Sequence, residues 1–218
     1  MIDLKKQGDI YNLTMNNNAN TICPDWQQQM LKALDTMESD YGQGTALVMT
    51  GEEKFFCNGV NIEAVSALDK AGVEQFAKTM LEIHRRMLLL PFPTIAAING
   101  HAFAGGAFLA LSLDYRIMRE DRGWIAFSEV DVGVPIPSPM MAILQAKLSP
   151  ATVRDAVLTG KRYTAPEAIK AGLVDTQAPA DSLADQAEAL ALTLAVKEPG
   201  IFKAIKQTLY GDLAVKFL

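Results

Sequence analysis

Cysteine and histidine are scarce in this chain, which has two residues of each among its 218. The spacing of Cys23 and Cys57 fits no metal-binding motif, and two cysteines are too few for a disulfide framework. Two histidines do not supply the ligands of a His-rich metal site. We therefore expect no bound metal, and a reducing compartment in which both cysteines remain thiols.

Long apolar runs and an excess of positive charge are also missing. The longest apolar stretches, such as Met87–Phe92, are far too short to cross a bilayer, and the first residues lack the apolar run of a signal peptide. The last three residues, KFL, are not the S-K-L peroxisomal address. A formal net charge of -5 gives no electrostatic reason to bind nucleic acid or an anionic membrane. These absences predict a cytoplasmic protein.

The composition is that of an ordinary globular protein, with 50% hydrophobic and 21% charged residues. A chain of this length can bury a sizeable core within one domain. No internal repeat, low-complexity segment or flexible linker divides it. We expect a single domain in which residues 1–175 form the core and residues 176–218 add a helical segment that serves oligomerisation.

Short apolar runs alternate with amphipathic stretches along the chain. Helices are expected from Pro24 onward, from Gly105 onward, and at 73–90, 166–172, 180–196 and 200–210. Strands are expected at 10–15, 45–49, 94–98, 115–118 and 124–127, with a short return at 173–175. Strands that alternate with helices imply crossover connections, so the pattern predicts an α/β fold with a mostly parallel sheet.

The stretch Gly100–Gly106, GHAFAGG, separates a predicted strand from an apolar helix. A phosphate-binding P-loop would need Lys and then Ser or Thr after its last glycine, and this motif has neither. A nucleoside triphosphate site is therefore not expected. The first N–H groups of the helix would point at whatever lies above the strand end. Taken alone, the motif favours close packing where only glycine fits.

The stretch Ser128–Pro135, SEVDVGVP, sets two carboxylates among apolar residues. In a strand, Glu129 and Asp131 would share one face, whereas in a loop they need not. A solvated pair is the commoner arrangement for such residues. The functional alternative is a carboxylate in an apolar pocket, where burial raises its pKa so that it can carry protons.

Three other features carry weak signals on their own. The stretch Phe55–Ile62, FFCNGVNI, has the character of a glycine-containing turn, and Cys57 within it is expected to be a packed small residue. His84 lies among charged residues on the long predicted helix, so we expect it at the surface. His101 follows a turn, and we expect it to be a structural hydrogen-bonding residue.

Four segments taken together resemble the crotonase family, also called the enoyl-CoA hydratase/isomerase family. In order they are FFCNGVNI, PTIAAINGHAFAGGAFLALSLDYRI, SEVDVGV and LTGKRYTAPEAIKAGLVD. The resemblance extends from about Leu13 to Asp175 and more loosely to Leu209. The run from NGHA to DRG is especially similar to the peroxisomal isomerases of plants.

The resemblance implies a crotonase-like β-β-α spiral, with stacked sheets and a shortened helical C-terminal part. It also implies a homotrimer or hexamer that acts on acyl-CoA thioesters. Coenzyme A would arrive as part of the substrate, so no separate cofactor is expected.

The resemblance also assigns a site. Two backbone N–H groups, on Val60 and Gly105, would hold the thioester oxygen, and Glu129 would be the acid/base. Preorganised donors of this kind contribute roughly 3 kcal/mol each to an enolate-like transition state. The further substrate-binding positions are Asn58, Asn61, Ile62, Gly106 and Phe108. Candidates for the acyl pocket, for which core packing is an equal alternative, are Phe103, Phe108, Met140 and Met141. Candidates for contact with the CoA phosphates are Lys54, Lys203 and Lys206.

One departure from the family pattern bears on the reaction. Hydratases of this family use two glutamates, and the first of these positions is Phe108 here. A single base, Glu129, suffices to shift a double bond from 3-enoyl-CoA to 2-enoyl-CoA, so isomerase is favoured over hydratase. Hydration, hydrolysis or decarboxylation on the same fold remain alternatives. A non-catalytic acyl-CoA-binding protein is a further alternative, although such a protein gains nothing from an ionisable group in an apolar pocket.

Overall fold

The structure is a computed structural model that describes residues 1–218 and has two β-sheets with ten helices. The strands are β1 (Ile2–Gln7), β2 (Ile10–Met15), β3 (Ala46–Gly51), β4 (Phe55–Cys57), β5 (Thr94–Ile98), β6 (His101–Phe103), β7 (Tyr115–Arg119), β8 (Ile125–Ala126) and β9 (Thr176–Ala178). The longer helices are α1 (Pro24–Ser39), α3 (Lys70–Leu89), α4 (Gly105–Ser112), α6 (Ser138–Lys147), α7 (Pro150–Thr159), α9 (Leu183–Ala195) and α10 (Pro199–Val215), and the shorter ones are α2 (Ile62–Ser66), α5 (Glu129–Val132) and α8 (Ala165–Ala171).

The larger sheet has the strand order β1-β2-β3-β5-β7-β9, and every pair except the β1-β2 hairpin is parallel. Helices cover both of its faces. In β3, Leu47 and Met49 join the main core, while Ala46 and Val48 join a second core beneath α9. Burial on both faces explains why the interior strands are apolar at nearly every position instead of at every second one.

The smaller sheet has the order β4-β6-β8, and its strands are parallel. Helix α4 packs against it at close range, because a Cβ atom added at Gly106 would lie 2.1 Å from the carbonyl oxygen of Cys57. Only glycine permits this approach. Since the three strands run in one direction, their carboxyl ends meet at a single edge.

Most of the predicted strands and helices are confirmed. The stretch Phe55–Ile62, predicted as a turn, instead contains strand β4 and the first residue of helix α2, and strand β6 was not predicted. Three further corrections concern β1, the last strand and the stretch around Glu129. Strand β1 was not predicted, because IDLKKQ is half-exposed to exposed and carries no clear apolar alternation. The last strand lies at Thr176–Ala178 and not at 173–175, where Leu173 and Val174 are buried side chains of the turn that follows α8. The stretch around Glu129 forms neither strand nor loop but the short helix α5. No helix combines the length and the apolar character needed to cross a membrane.

The surface position predicted for His84 is wrong. The residue is fully buried between α3 and α4, and its Nδ1 lies 2.7 Å from Oγ of Ser112. Its charged neighbours Arg85 and Arg86 form ion pairs with Glu82 and Glu38, while His84 shares the inward face of α3 with Leu88. Burial lowers the pKa of His84 to about 3, so the imidazole is neutral at any ordinary pH.

A buried ion pair joins α10 to the rest of the fold. Nζ of Lys206 lies 2.7 Å from Oδ2 of Asp114, and both side chains are largely shielded from solvent. The same carboxylate oxygen accepts hydrogen bonds from the backbone N–H and the hydroxyl of Thr94, at 3.0 and 2.9 Å. Lys206 is therefore a structural residue, and its prediction as a contact for the CoA phosphates is wrong. Lys54 and Lys203 remain predictions for that role.

We expect Lys206→Met to lower the free energy of unfolding by about 3 kcal/mol, because it leaves Asp114 buried without its cation. Lys203→Met on the same helix is the matched control and should cost less than about 1 kcal/mol. Lys203 makes a long hydrogen bond of 3.4 Å to the Tyr41 hydroxyl, and its Nζ lies 5.9 Å from the centre of that ring. Urea denaturation of both variants measures the difference. Equal losses would show that the ion pair does not anchor α10.

Candidate active site

Three residues predicted for the site leave the smaller sheet at the same edge. Val60 lies three positions after the end of β4, Gly105 two after β6, and Glu129 three after β8. In parallel sheets, the carboxyl edge is where loops and helix N-termini converge to bind ligands. The strand order thus brings together residues that are far apart in sequence.

The loop after β4 is held so that one N–H remains free. A parallel bridge pairs Ile22 with Val60: the Ile22 N–H donates to Gly59 O at 2.8 Å, and the Asn61 N–H donates to Ile22 O at 2.9 Å. The N–H of Val60, between these two bonds, donates no hydrogen bond within the chain. Gly59 has φ +80°, and a Cβ atom there would lie 3.4 Å from the backbone nitrogen of Gly105.

Gly105 begins α4, so its N–H has no acceptor within the helix. A Cβ atom at this position would lie 3.7 Å from Cγ2 of Val60, which makes the two residues neighbours. Helix α4 is buried along its whole length, and its N-terminal partial positive charge is directed at this edge. Two adjacent N–H donors without partners form an arrangement that can hold an oxygen atom bearing negative charge.

The carboxyl group of Glu129 is buried beside this edge. The residue is 8% exposed, and its Oε2 is buried without a hydrogen-bond partner. Burial raises the pKa of Glu129 above its ordinary value, and one backbone hydrogen bond partly opposes this shift. Helix α5 separates the two carboxylates of the segment, because residues two apart on a helix do not share a face. Asp131 is accordingly exposed.

An aromatic pair occupies the position where hydratases carry their first glutamate. Phe108 and Phe127 are both buried, and their rings meet edge to face with centroids 4.9 Å apart. Phe127 lies two residues before Glu129. This part of α4 offers neither a carboxylate nor a hydroxyl to hold a water molecule.

The remaining predicted acyl-pocket residues divide between core and surface. Met140 belongs to the main core, and Met141 is half-buried against it. Phe103 points to the opposite face of the smaller sheet, where it stacks on His101 at 5.0 Å and lies beneath the guanidinium of Arg162. The structure therefore does not bring Phe103 together with Phe108.

The residues predicted to bind substrate differ in how far they are buried and in what they contact. Asn61 caps α2 through its side-chain oxygen, whereas Ile62 is 59% exposed at the rim. Asn58 is half-buried, and Gly106 is packed under Cys57, a buried thiol as expected. Burial raises the pKa of the Cys57 thiol to about 12, so the thiol is not a nucleophile. Binding of substrate by this loop remains a prediction.

His101 was predicted to be a structural hydrogen-bonding residue. Nδ1 of His101 has no hydrogen-bond partner, and the ring is held by stacking against aromatic neighbours, so the predicted hydrogen-bonding role is wrong.

Two residues of the site region were not anticipated from the sequence. Ile22, the bridge partner of Val60, gave no local signal because it is a single apolar residue. Ala104, just before Gly105, has φ +49°. A conformation of this kind cannot be inferred from an alanine in a sequence.

Comparison with known proteins points to one family. The enoyl-CoA hydratase/isomerase family profile matches residues 5–216. Enoyl-CoA delta isomerase 3 of Arabidopsis thaliana is 34% identical, over 98% of this chain and 93% of its own. The peroxisomal enoyl-CoA delta isomerase 2 of the same plant is 35% identical, with the same coverage. A probable enoyl-CoA hydratase of Mycobacterium tuberculosis has a crystal structure that matches with a TM-score of 0.92 and 25% identity, over 99% of this chain and 91% of that one.

Because Glu129 is buried without a partner, its ionisation should cost stability. Below the ordinary pKa of glutamate the carboxyl is protonated in both folded and unfolded chains, and the cost appears as pH rises through the raised pKa. We expect Glu129→Gln to raise the free energy of unfolding at neutral pH by about 1 kcal/mol, and this gain should shrink on acidification. Denaturant titrations at several pH values measure it. Asp131→Asn, an exposed control, should show no such trend, and a pH-independent effect at Glu129 would contradict the argument.

Proposed function

The chain belongs to the enoyl-CoA hydratase/isomerase family, and we propose that it moves the double bond of a 3-enoyl-CoA to the 2-position. Two observations carry the proposal together: Glu129 is buried with its Oε2 unpartnered, and Phe108 is buried in an aromatic pair with Phe127. One carboxylate is present in an apolar setting, and the position that would supply the second in a hydratase is a phenyl ring.

The proposed reaction uses Glu129 twice. Its carboxylate removes a proton from C2 of the 3-enoyl thioester, and the electrons move onto the thioester oxygen to give a dienolate. The N–H groups of Val60 and Gly105 stabilise that oxygen as an oxyanion hole, each by roughly 3 kcal/mol. Glu129 then returns the proton to C4, so that the double bond lies between C2 and C3. Neither water nor a cofactor is consumed, and coenzyme A enters and leaves as part of the substrate.

Burial suits Glu129 to act as both the base and the acid of this reaction. A raised pKa makes the carboxylate a stronger base than a solvated glutamate and makes its acid form available for the return step. Hydration would require a second group to hold and activate water. Phe108 and Phe127 offer none, and Asp131 is exposed. Hydratase is retained as the alternative because several structural relatives carry that name.

Assembly and compartment also stay proposals. Along α10, Ile201, Ile205 and Leu209 recur at intervals of four residues and are 60, 62 and 66% exposed. Such a stripe on one helix suits burial against further copies of the chain, and we propose it as part of the contact in a homotrimer or hexamer. The cytoplasmic location remains a prediction, since two matched relatives are named as peroxisomal.

The reaction is tested by incubating the purified protein with 3-hexenoyl-CoA and, separately, with 2-hexenoyl-CoA. We expect the conjugated thioester to form from the first substrate and no 3-hydroxyacyl-CoA from the second. The value of kcat/KM should fall as pH drops through the raised pKa of Glu129, because only the carboxylate can remove the proton. Efficient hydration of 2-hexenoyl-CoA would refute the isomerase assignment in favour of a hydratase.

Substitution of Glu129 tests whether this residue is the base. Glu129→Gln should reduce turnover by roughly 10²- to 10⁴-fold, the usual contribution of a positioned acid/base, while substrate still binds. Asp131→Asn, two positions away on the exposed side of α5, is the matched control and should retain turnover. Undiminished turnover in Glu129→Gln would show that another group is the base.

For the assembly, we expect Ile205→Asp to shift the protein toward monomers in sedimentation velocity, because the charge would be buried in the contact. Gln207→Asp, at an exposed site on another side of the same helix, should disturb assembly less. A monomeric wild-type protein, or an Ile205→Asp variant with unchanged sedimentation, would remove α10 from the proposed contact.

A further inference from the structure

The residue that precedes Gly105 has an unusual backbone conformation. Ala104 is the N-cap of α4 and has φ +49° and ψ -120°. L-amino acids with a Cβ atom rarely occupy this region, which suits glycine. Residues held in such conformations concentrate at functional sites, where the surrounding structure must compensate for the strain. Here the strained residue supplies half of the peptide group whose N–H belongs to Gly105.

Hydrogen bonds hold the Ala104–Gly105 peptide in its observed orientation. The carbonyl oxygen of Ala104 accepts from the N–H groups of Ala107 and Phe108, at 2.9 and 3.1 Å, and these are the first bonds of α4. The N–H of Ala104 donates to Ala126 O on β8, at 2.9 Å. With the carbonyl directed into the helix, the Gly105 N–H points away from it, toward the edge of the smaller sheet.

A rotation of this one peptide plane would reverse both groups. It changes ψ of Ala104 and φ of Gly105 and leaves the rest of the chain in place. Ala104 would then enter the left-handed helical region, which is less strained for a residue with a Cβ atom. Gly105 would take a positive φ, which glycine tolerates. The rotated form would lose the two capping bonds but would relieve the strain, so the two effects oppose each other.

We propose that Ala104 is a positioning residue for the oxyanion hole, because the residue at position 104 sets the fraction of molecules in which the Gly105 N–H faces the substrate. The inference rests on the proposed function for the identity of the site. Glycine at 104 would accept the observed orientation without strain and so favour the competent form. Asparagine, which tolerates the left-handed helical region, would favour the rotated form.

The experiment compares Ala104→Gly and Ala104→Asn in binding acetoacetyl-CoA, whose enolate oxygen needs the same two donors but which undergoes no double-bond shift. Calorimetry gives the affinity, and the near-ultraviolet absorbance of the enolate gives the ionised fraction of the bound ligand. We expect the glycine variant to bind at most about twofold more tightly, because the competent orientation already prevails in the wild-type protein, and the asparagine variant to bind roughly three- to tenfold more weakly. The kcat/KM for 3-hexenoyl-CoA should follow the same order.

A control variant separates positioning from stability. Glu53 has φ +57° in the turn between β3 and β4, so Glu53→Gly relieves strain away from the site. Both glycine variants should raise the melting temperature, but only Ala104→Gly should tighten binding. Unchanged affinity and enolate absorbance in Ala104→Asn would overturn the inference. So would an asparagine variant that binds as tightly as the glycine variant.

The same measurements distinguish this inference from the proposed reaction. If 3-hexenoyl-CoA is not isomerised but acetoacetyl-CoA binding follows the order Gly, Ala, Asn at position 104, the inference stands and the proposed reaction fails. If isomerisation occurs but the three proteins bind the enolate equally, the reaction stands and the inference fails.

Discussion

Close backbone packing around β4 is the constraint on which the candidate site depends. Cβ atoms added at Gly51, Gly100 and Gly106 would each lie 2.1–2.2 Å from a main-chain oxygen of this strand or of the residue just before it. The strand is therefore enclosed on several sides by chain segments that approach more closely than any side chain permits. Because Val60 follows β4 by three residues and Gly106 belongs to α4, the same packing fixes the distance between the two N–H donors. A larger residue at any of these glycines would move one donor relative to the other.

A second feature is that the fold isolates one ionisable group instead of pairing it. Two other buried charges are paired, Lys206 with Asp114 and Arg116 with Asp175. Glu129 has no such partner, and its Oε2 makes no hydrogen bond. An unpaired buried carboxyl costs stability and shifts its pKa toward the range in which it can both accept and return a proton. The unpaired carboxyl of Glu129 therefore makes this edge of the smaller sheet the candidate functional region.

Sequence reasoning found the elements of the fold and the three residues that converge, for identifiable reasons. The strands of the larger sheet are buried on both faces and so are continuous apolar runs, and the amphipathic helices repeat at helical spacing. The errors have equally physical causes. His84 was assigned to the surface from its charged neighbours, although a helix directs adjacent residues to different sides. Lys206 was treated as a free cation because its partner, Asp114, is remote in sequence. The conformation of Ala104 follows from tertiary hydrogen bonds that no local pattern encodes.

Oxygen binding and proton transfer at this site would depend on different parts of the chain: backbone N–H groups for the first and side chains for the second. Under the proposed function, backbone groups of Val60 and Gly105 supply the oxygen-binding donors, and these groups are fixed by glycine packing and by the start of α4, not by side-chain chemistry. Any reaction that passes through an enolate can use them. What happens to the proton and to water depends on side chains that project toward the same edge from α4 and α5. Phe108 and Glu129 occupy these positions here, so under the proposed function the phenyl ring excludes the water that a second carboxylate would hold, and the proton taken from one carbon can only be returned to another.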